Sequence, residues 1–221
     1  MTRSSRATRA RIDVRLEGVR VVVPEGATLD PEALLQGEAD WLCEKLDARA
    51  ERVAALPERR FEPGGSLPYL GTDRTIHVEQ RSRSVVDGDA FRLARWEVER
   101  TSVKNVVETL YRRTAREFVE AGVKRYREPM GVEPDRIRIA DQRTRWGSCS
   151  SNGTLSYNWR LLLAPEAIAE YVLVHELAHL VELNHSERFW RVVSEHDPEW
   201  RAHREWLREH SDDLLFDPPE R

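Results

Sequence analysis

The chain of 221 residues is poor in cysteine, poor in lysine and without any long apolar run, and each shortage excludes a class of protein. Its two cysteines, Cys43 and Cys149, lie far apart with no second thiol near either. Neither a disulfide framework nor a cysteine-rich zinc knuckle can be assembled from them, and both are expected as free thiols. No segment approaches the roughly eighteen consecutive apolar residues of a membrane-spanning helix, so no span is expected. The amino-terminal stretch MTRSSRATRARIDVRLEG is basic and serine-rich but has no apolar core, which argues against a secretory signal and gives an expected cytoplasmic address. Only Lys45, Lys104 and Lys124 are lysines among the 35 basic residues. Such an arginine bias fits a GC-rich genome as well as a need for guanidinium recognition.

What is present describes a soluble globular protein. The chain is 40% hydrophobic and 33% charged, with a mean hydropathy of -0.63, which excludes collagen, a coiled-coil rod and wholesale disorder. A net charge of -4 argues against a surface built to coat nucleic acid. The length suits one large domain or two small ones, and buries enough surface to need no metal or disulfide staple. A metal site in this chain is therefore expected to work rather than to prop the fold.

Ile12, Val14 and Leu16 alternate with charged residues before Glu17-Gly18, and Val19 to Val23 follow, which predicts a hairpin. Apolar spacing behind Asp30-Pro31 predicts one helix to about Leu56, weakened by Gly37. Short extended runs follow at 68–70, 75–78, 84–86 and 90–96, with Asp87-Gly88 a hairpin turn. A long helix is expected from about Thr101 to Tyr126 behind a Ser102 cap, broken by Pro129 and Gly131. Beyond it come a strand at 136–140, a hairpin of 143–149 and 154–159 around Ser151-Asn152-Gly153, a helix from Ala164-Pro165-Glu166, and two shorter helices at about 186–195 and 198–209.

The helix after Pro165 carries the chemistry. It contains His175-Glu-Leu-Ala-His179, and residues four apart stack one turn above the other, so the two imidazoles can hold one ion while Glu176 sits beside it. That is the place of a general base acting on a metal-activated water. The helix is apolar nearly all round, so these polar groups need a partner, which a metal supplies. His185 stands where a chain leaving the helix can fold back with a third nitrogen, with Glu187 or Glu195 as the alternative ligand. Three protein ligands and one open position are the catalytic pattern for zinc, and imidazole ligation suits Zn²⁺ better than Mg²⁺ or Ca²⁺. The histidine spacing equals HExxHxxGxxH, but Glu182 occupies the glycine position. The turn is then expected from Asn184 in the left-handed region that Asn tolerates.

Arg145-Trp-Gly-Ser-Cys149, Tyr157-Asn-Trp-Arg-Leu161, His175-Glu-Leu-Ala-His179-Leu and Asn184-His185-Ser with Phe189-Trp190 occur in that order. Together they resemble the YgjP-like metallopeptidase family, itself similar to the SprT and WLM metallopeptidases in the active-site segment. The resemblance extends upstream to Phe61-Glu-Pro-Gly64 and Tyr69-Leu-Gly71. It implies a zincin-like catalytic domain in which His175, His179 and His185 bind zinc and Glu176 is the catalytic glutamate. It names no substrate.

The expectation is an α+β protein: a β-rich unit with one helix over 1–100, then a zincin-like domain over 101–221. The expected activity is hydrolysis of a peptide or protein substrate through a zinc-activated water, with a nucleotide or other phosphate ester as the alternative. Thr154 to Trp159 is the expected sheet edge on which a peptide would pair. Tyr157, Asn158 and Arg160 are candidate substrate-binding or oxyanion donors, or else braces for the helix start. Trp146, Trp159, Phe189 and Trp190 are read as core and pocket wall, Cys149 as a small buried hydrophobe, and His196, His203 and His210 as solvated. A rival from another class is a DNA-associated adaptor with a structural metal site. It rests on residues 81–127, with twelve Arg or Lys against seven Asp or Glu, and on the arginine-rich leader.

Overall fold

The computed structural model describes all residues except 1, 17, 29, 143, 220 and 221. They divide into two compact units, 1–58 with 217–221, and 59–216. The boundary drawn from the sequence at 100/101 falls inside the second unit, because the strands before it share a core with the long helix after it.

In the first unit, strands β1 (Thr2–Ser4) and β2 (Arg11–Arg15) flank β3 (Gly18–Pro24). The β2–β3 pair is the expected hairpin, antiparallel from Arg11↔Val22 to Arg15↔Gly18; its turn residue Glu17 lies outside the described residues. β1, which the polar leader did not announce, pairs with β3 in parallel. The single helix expected over 31–56 is two, α1 (Pro31–Gly37) and α2 (Ala39–Ala55). Asp30 caps α1 by accepting the Glu32 N–H at 3.0 Å. The break falls at Glu38, directly after Gly37, a residue that costs about 1 kcal/mol relative to Ala inside a helix.

The second unit opens with a four-stranded sheet, β4 (Ser66–Tyr69), β5 (Thr72–Glu79), β6 (Val85–Asp87) and β7 (Ala90–Ala94), in the order β4-β5-β7-β6. The run expected to stay extended to Trp96 instead turns helical at α3 (Arg95–Arg100). α4 (Val103–Met130) follows, with Ser102 accepting the Asn105 N–H as its cap. Pro129 does not break it, because it stands in the last turn, and Gly131 ends the helix at φ 64. Leu67, Ile76, Phe91 and Leu93 of the sheet share a buried core with Val107, Leu110 and Tyr111 of α4.

A three-stranded sheet, β8 (Arg136–Ala140), β9 (Gly147–Cys149) and β10 (Thr154–Asn158), has the order β8-β10-β9. A 3₁₀ turn, Trp159–Leu163, delivers the chain to α5 (Glu166–Ala178), which is followed by α6 (Glu187–His196) and α7 (Trp200–Glu209). α5 is the central helix. Ile168, Ala169, Tyr171, Val172, Leu173, Val174, Leu177 and Ala178 are all buried, which is what a helix apolar on every side requires. Among the described residues, no helix is long and apolar enough to cross a membrane.

Candidate active site

The polar residues of α5 gather at its carboxy-terminal end. His175 and Glu176 lie in the last turn, and His179 is the C-cap, still in right-handed helical backbone. Turn hydrogen bonds from the N–H groups of Leu180 to Leu177 O and of Glu182 to Ala178 O carry the chain off the helix. His179 Nδ1 lies 3.2 Å from the Glu182 carbonyl oxygen. The left-handed Asn184 expected from the sequence is not found: Leu70 is the one non-glycine residue with positive φ among those described. The reversal is made by tight turns instead, closed by the Ser186 N–H donating to Asn184 O at 2.8 Å. They place His185 over the helix end, and Ser186 caps α6.

His175, His179 and His185 converge, each offering one ring nitrogen within 4.8 Å of the other two. The Nε2 atoms of His175 and His185 are 3.1 Å apart. Neither Glu187 nor Glu195 belongs to this cluster among the described residues. The Phe189 ring, fully buried, has its centroid 4.9, 4.5 and 4.7 Å from the three imidazoles and forms their floor. Trp190 stacks on His185 at 5.5 Å and on Trp200 at 4.1 Å. The Tyr171 hydroxyl lies 3.4 Å from His175 Nδ1.

Burial, reinforced by His179 and His185, pushes the His175 pKa down to about 3, and burial lowers His179 and His185 as well. All three are therefore neutral near pH 7, with lone pairs available. Three neutral imidazoles converging with no carboxylate between them are a donor set that accepts a borderline cation.

Glu176 is 6% exposed, and its Oε2 has no hydrogen-bond partner among the described residues. Burial pushes its pKa up to about 8, opposed by the charge of Arg145. Glu176 and the three histidines line an open pocket of about 290 Å³, together with Arg145, β9 and Leu183.

The strand expected to be the free edge is not. β10 lies in the middle of its sheet, parallel to β8 and antiparallel to β9. β9 is the first arm of the hairpin expected around Ser151-Asn152-Gly153, and the parallel pairing of β8 takes the other side of β10. β9 is the edge beside the imidazoles. Its ladder to β10 includes Asn158 N–H to Trp146 O and Ser150 N–H to Thr154 O. Antiparallel pairs alternate, so the backbone groups of Gly147 and Cys149 point away from β10, along the free edge. Cys149 is half-buried and lines the pocket, where a buried hydrophobe was expected.

Tyr157, Asn158 and Arg160 turn their polar atoms to the protein. The Tyr157 hydroxyl donates to Leu173 O of α5 at 3.4 Å. Asn158, 2% exposed, donates from Nδ2 to Gln142 O and Arg145 O and accepts the Arg160 N–H. Arg160 donates to Gln142 O and pairs with Asp141. These contacts are those of braces, fixing the loop that carries Arg145 and the entry to α5. Of the histidines expected to be solvated, His203 pairs with the nearly buried Asp197 at 2.9 Å, and His210 stacks on Trp206. Sequence reasoning missed Gly147 and Tyr171 as parts of the site. Gly147 stands in a motif that was noticed, but nothing in a lone glycine announces what its missing side chain makes room for.

A buried HExxH helix with a third imidazole folded back over its end, beside a mixed sheet, defines a zincin-like metallopeptidase domain. The chain belongs to the YgjP-like metallopeptidase family, whose metallopeptidase domain it matches over residues 8–210. Among solved structures it is similar to the metallopeptidase zymogen abylysin of Pyrococcus abyssi. The identity is 29%, covering 42% of this chain and 92% of that one, with a TM-score of 0.37. No curated protein matches the chain.

Proposed function

We propose that the protein is a zinc metallopeptidase in which His175, His179 and His185 hold one Zn²⁺ and Glu176 is the general base. The carrying observation is the convergence of three neutral imidazoles beside a buried, unpartnered carboxylate oxygen, next to a free sheet edge. Zinc in such a site supplies a Lewis acid that lowers the pKa of a water to about 7 and polarises the scissile carbonyl. With a cation held by the three imidazoles beside it, Glu176 would be ionised, and its Oε2 would take the proton of the attacking water and return it to the leaving amine. Tyr171 Oη and the Glu182 carbonyl accept from the Nδ1–H of His175 and His179, which leaves each Nε2 for the metal. Two unbridged thiols suit the expected cytoplasmic address.

The reading extends to how a peptide lies. An extended substrate would add to β9, bonding the outward N–H and C=O groups of Gly147 and Cys149. The DNA-adaptor reading finds less support, because about half of the twelve basic residues of that stretch pair with carboxylates of the same unit. Arg92 pairs with Glu79, Arg112 with Glu108 and Asp141, Arg116 with Glu120, Arg125 with Glu170 and Arg127 with Glu133.

Cys149→Pro tests the peptide pose. It removes an outward N–H without touching the β9–β10 ladder. Peptide cleavage should fall about 2- to 10-fold, the worth of one net hydrogen bond, with zinc content unchanged. Hydrolysis of a small phosphate ester, if any occurs, should be indifferent. Equal peptide kcat/KM for variant and parent would remove strand addition at β9 and bring the phosphate ester forward as substrate.

A further inference from the structure

Gly147 lies on β9 with its missing side chain directed at the Glu176 carboxylate. A Cβ built there would stand 2.5 Å from both Glu176 Cγ and Oε1, and 2.7 Å from Cδ. Real Cβ atoms do not approach so closely, so any side chain would force one of the two to move. Glu176 has little room to do so. It is 6% exposed, and it projects from a helix whose Leu173, Val174, Leu177 and Ala178 are all at most 1% exposed. β9 is held as firmly, by its ladder to β10 and by the Asn158 N–H to Trp146 O bond at 2.8 Å. Gly147 does not show positive φ, so the turn chemistry that usually calls for glycine is not the reason for it here. The reason is space.

We infer that Gly147 is a positioning residue for the reaction: its bare Cα forms the wall against which the Glu176 carboxylate is set. The same residue turns its backbone N–H and C=O to the free edge of β9. The register of a paired substrate and the position of the base are thereby fixed by one residue. This inference rests on the reading of Glu176 as general base.

The test is a set of four proteins: parent, Gly147→Ala, Glu176→Ala, and the double variant. In Gly147→Ala the carboxylate must shift by the order of 1 Å, which costs about 10²-fold when reacting groups are that far out of place. The loss should fall on kcat with KM changed less than about 3-fold, and zinc content should stay at the parent level. Ala at position 176 has no atom beyond Cβ, so all three overlapping atoms are removed and the overlap is relieved. The double variant should therefore lose no more activity than Glu176→Ala alone, whereas independent effects would multiply. In the metal-free proteins the same non-additivity should appear in Tm. Gly147→Ala should lower it by on the order of 5 °C, as overpacking does, and adding it to Glu176→Ala should lower it little further.

Parent-like kcat in a folded, zinc-loaded Gly147→Ala protein would overturn the inference. So would losses that simply multiply in the double variant. Failure of the underlying reading looks different, because Glu176→Gln would then retain hydrolysis whatever stands at position 147. If Gly147→Ala does not fold, Gly147→Ser with Glu176→Ala, in which the overlap is again relieved, should recover a folded, zinc-binding protein. Its failure to do so would also overturn the inference.

Discussion

Glu176→Gln should leave zinc bound and reduce peptide hydrolysis by roughly 10²- to 10⁴-fold, the usual contribution of a positioned general base. The amide keeps the size and shape of the carboxyl, so it fits against Gly147 without repacking, but it takes up no proton. The same substitution should stabilise the metal-free protein, with a definite pH dependence. Burial raises the Glu176 pKa from 4.5 to about 8 in the folded state, so folding holds this proton more tightly than the unfolded chain does. Below pH 4.5 both states are protonated and the group costs nothing. The penalty grows as pH rises and is complete above about pH 8. The metal-free parent and Glu176→Gln should therefore melt at similar temperatures near pH 4.5 and diverge by several degrees at pH 8, with Gln the more stable. Loss of zinc from the variant would instead make Glu176 a ligand. Equal melting at pH 8 would mean the carboxylate finds a partner in solution.

The α5 helix and its histidines were legible because two signals agreed: an all-round apolar pattern marks a core helix, and ligand spacing on it marks the exception. The turn around Gly88 was legible for a similar reason, since its left-handed backbone (φ 57) favours glycine. Other features were set by partners distant in sequence. The Asn-Gly turn announces the β9–β10 hairpin, but the parallel pairing of β8, which puts Thr154 to Asn158 in the middle of its sheet, leaves no local mark. Trp96 continues an extended-looking run but sits in α3, its indole N–H donating to Ser82 O. Phe189 reads as core, and it is core; that three imidazoles rest on it follows from a turn whose conformation the sequence did not predict. Gly147 is the extreme case. Its role is a volume left empty for a residue 29 positions away, and no local pattern records it.

His185→Ala should lower zinc affinity by at least about 10²-fold, more than the change of an outer hydrogen-bond partner commonly costs, and hydrolysis should fall with occupancy. Of the three imidazoles His185 is the one beyond both the helix and its cap, on an exposed turn, so its removal opens no core cavity. The metal-free variant should accordingly melt close to the parent, and a loss of zinc cannot then be attributed to unfolding. His175→Ala lacks this advantage, because that ring packs on Phe189 and Tyr171 inside the unit. The stack on Trp190 adds a graded control. If that indole holds the His185 ring in place, Trp190→Leu should weaken zinc binding by less than His185→Ala does, and Trp190→Phe by less again. Elemental analysis after dialysis at equal free zinc measures all four proteins. Full occupancy in His185→Ala would remove it from the ligand set and move the third position to Glu187 or Glu195, although neither lies in the cluster. A carboxylate reaching the metal from α6 would require that helix to shift. The same experiment therefore decides whether the tight turns after α5 exist to deliver an imidazole or only to start the next helix.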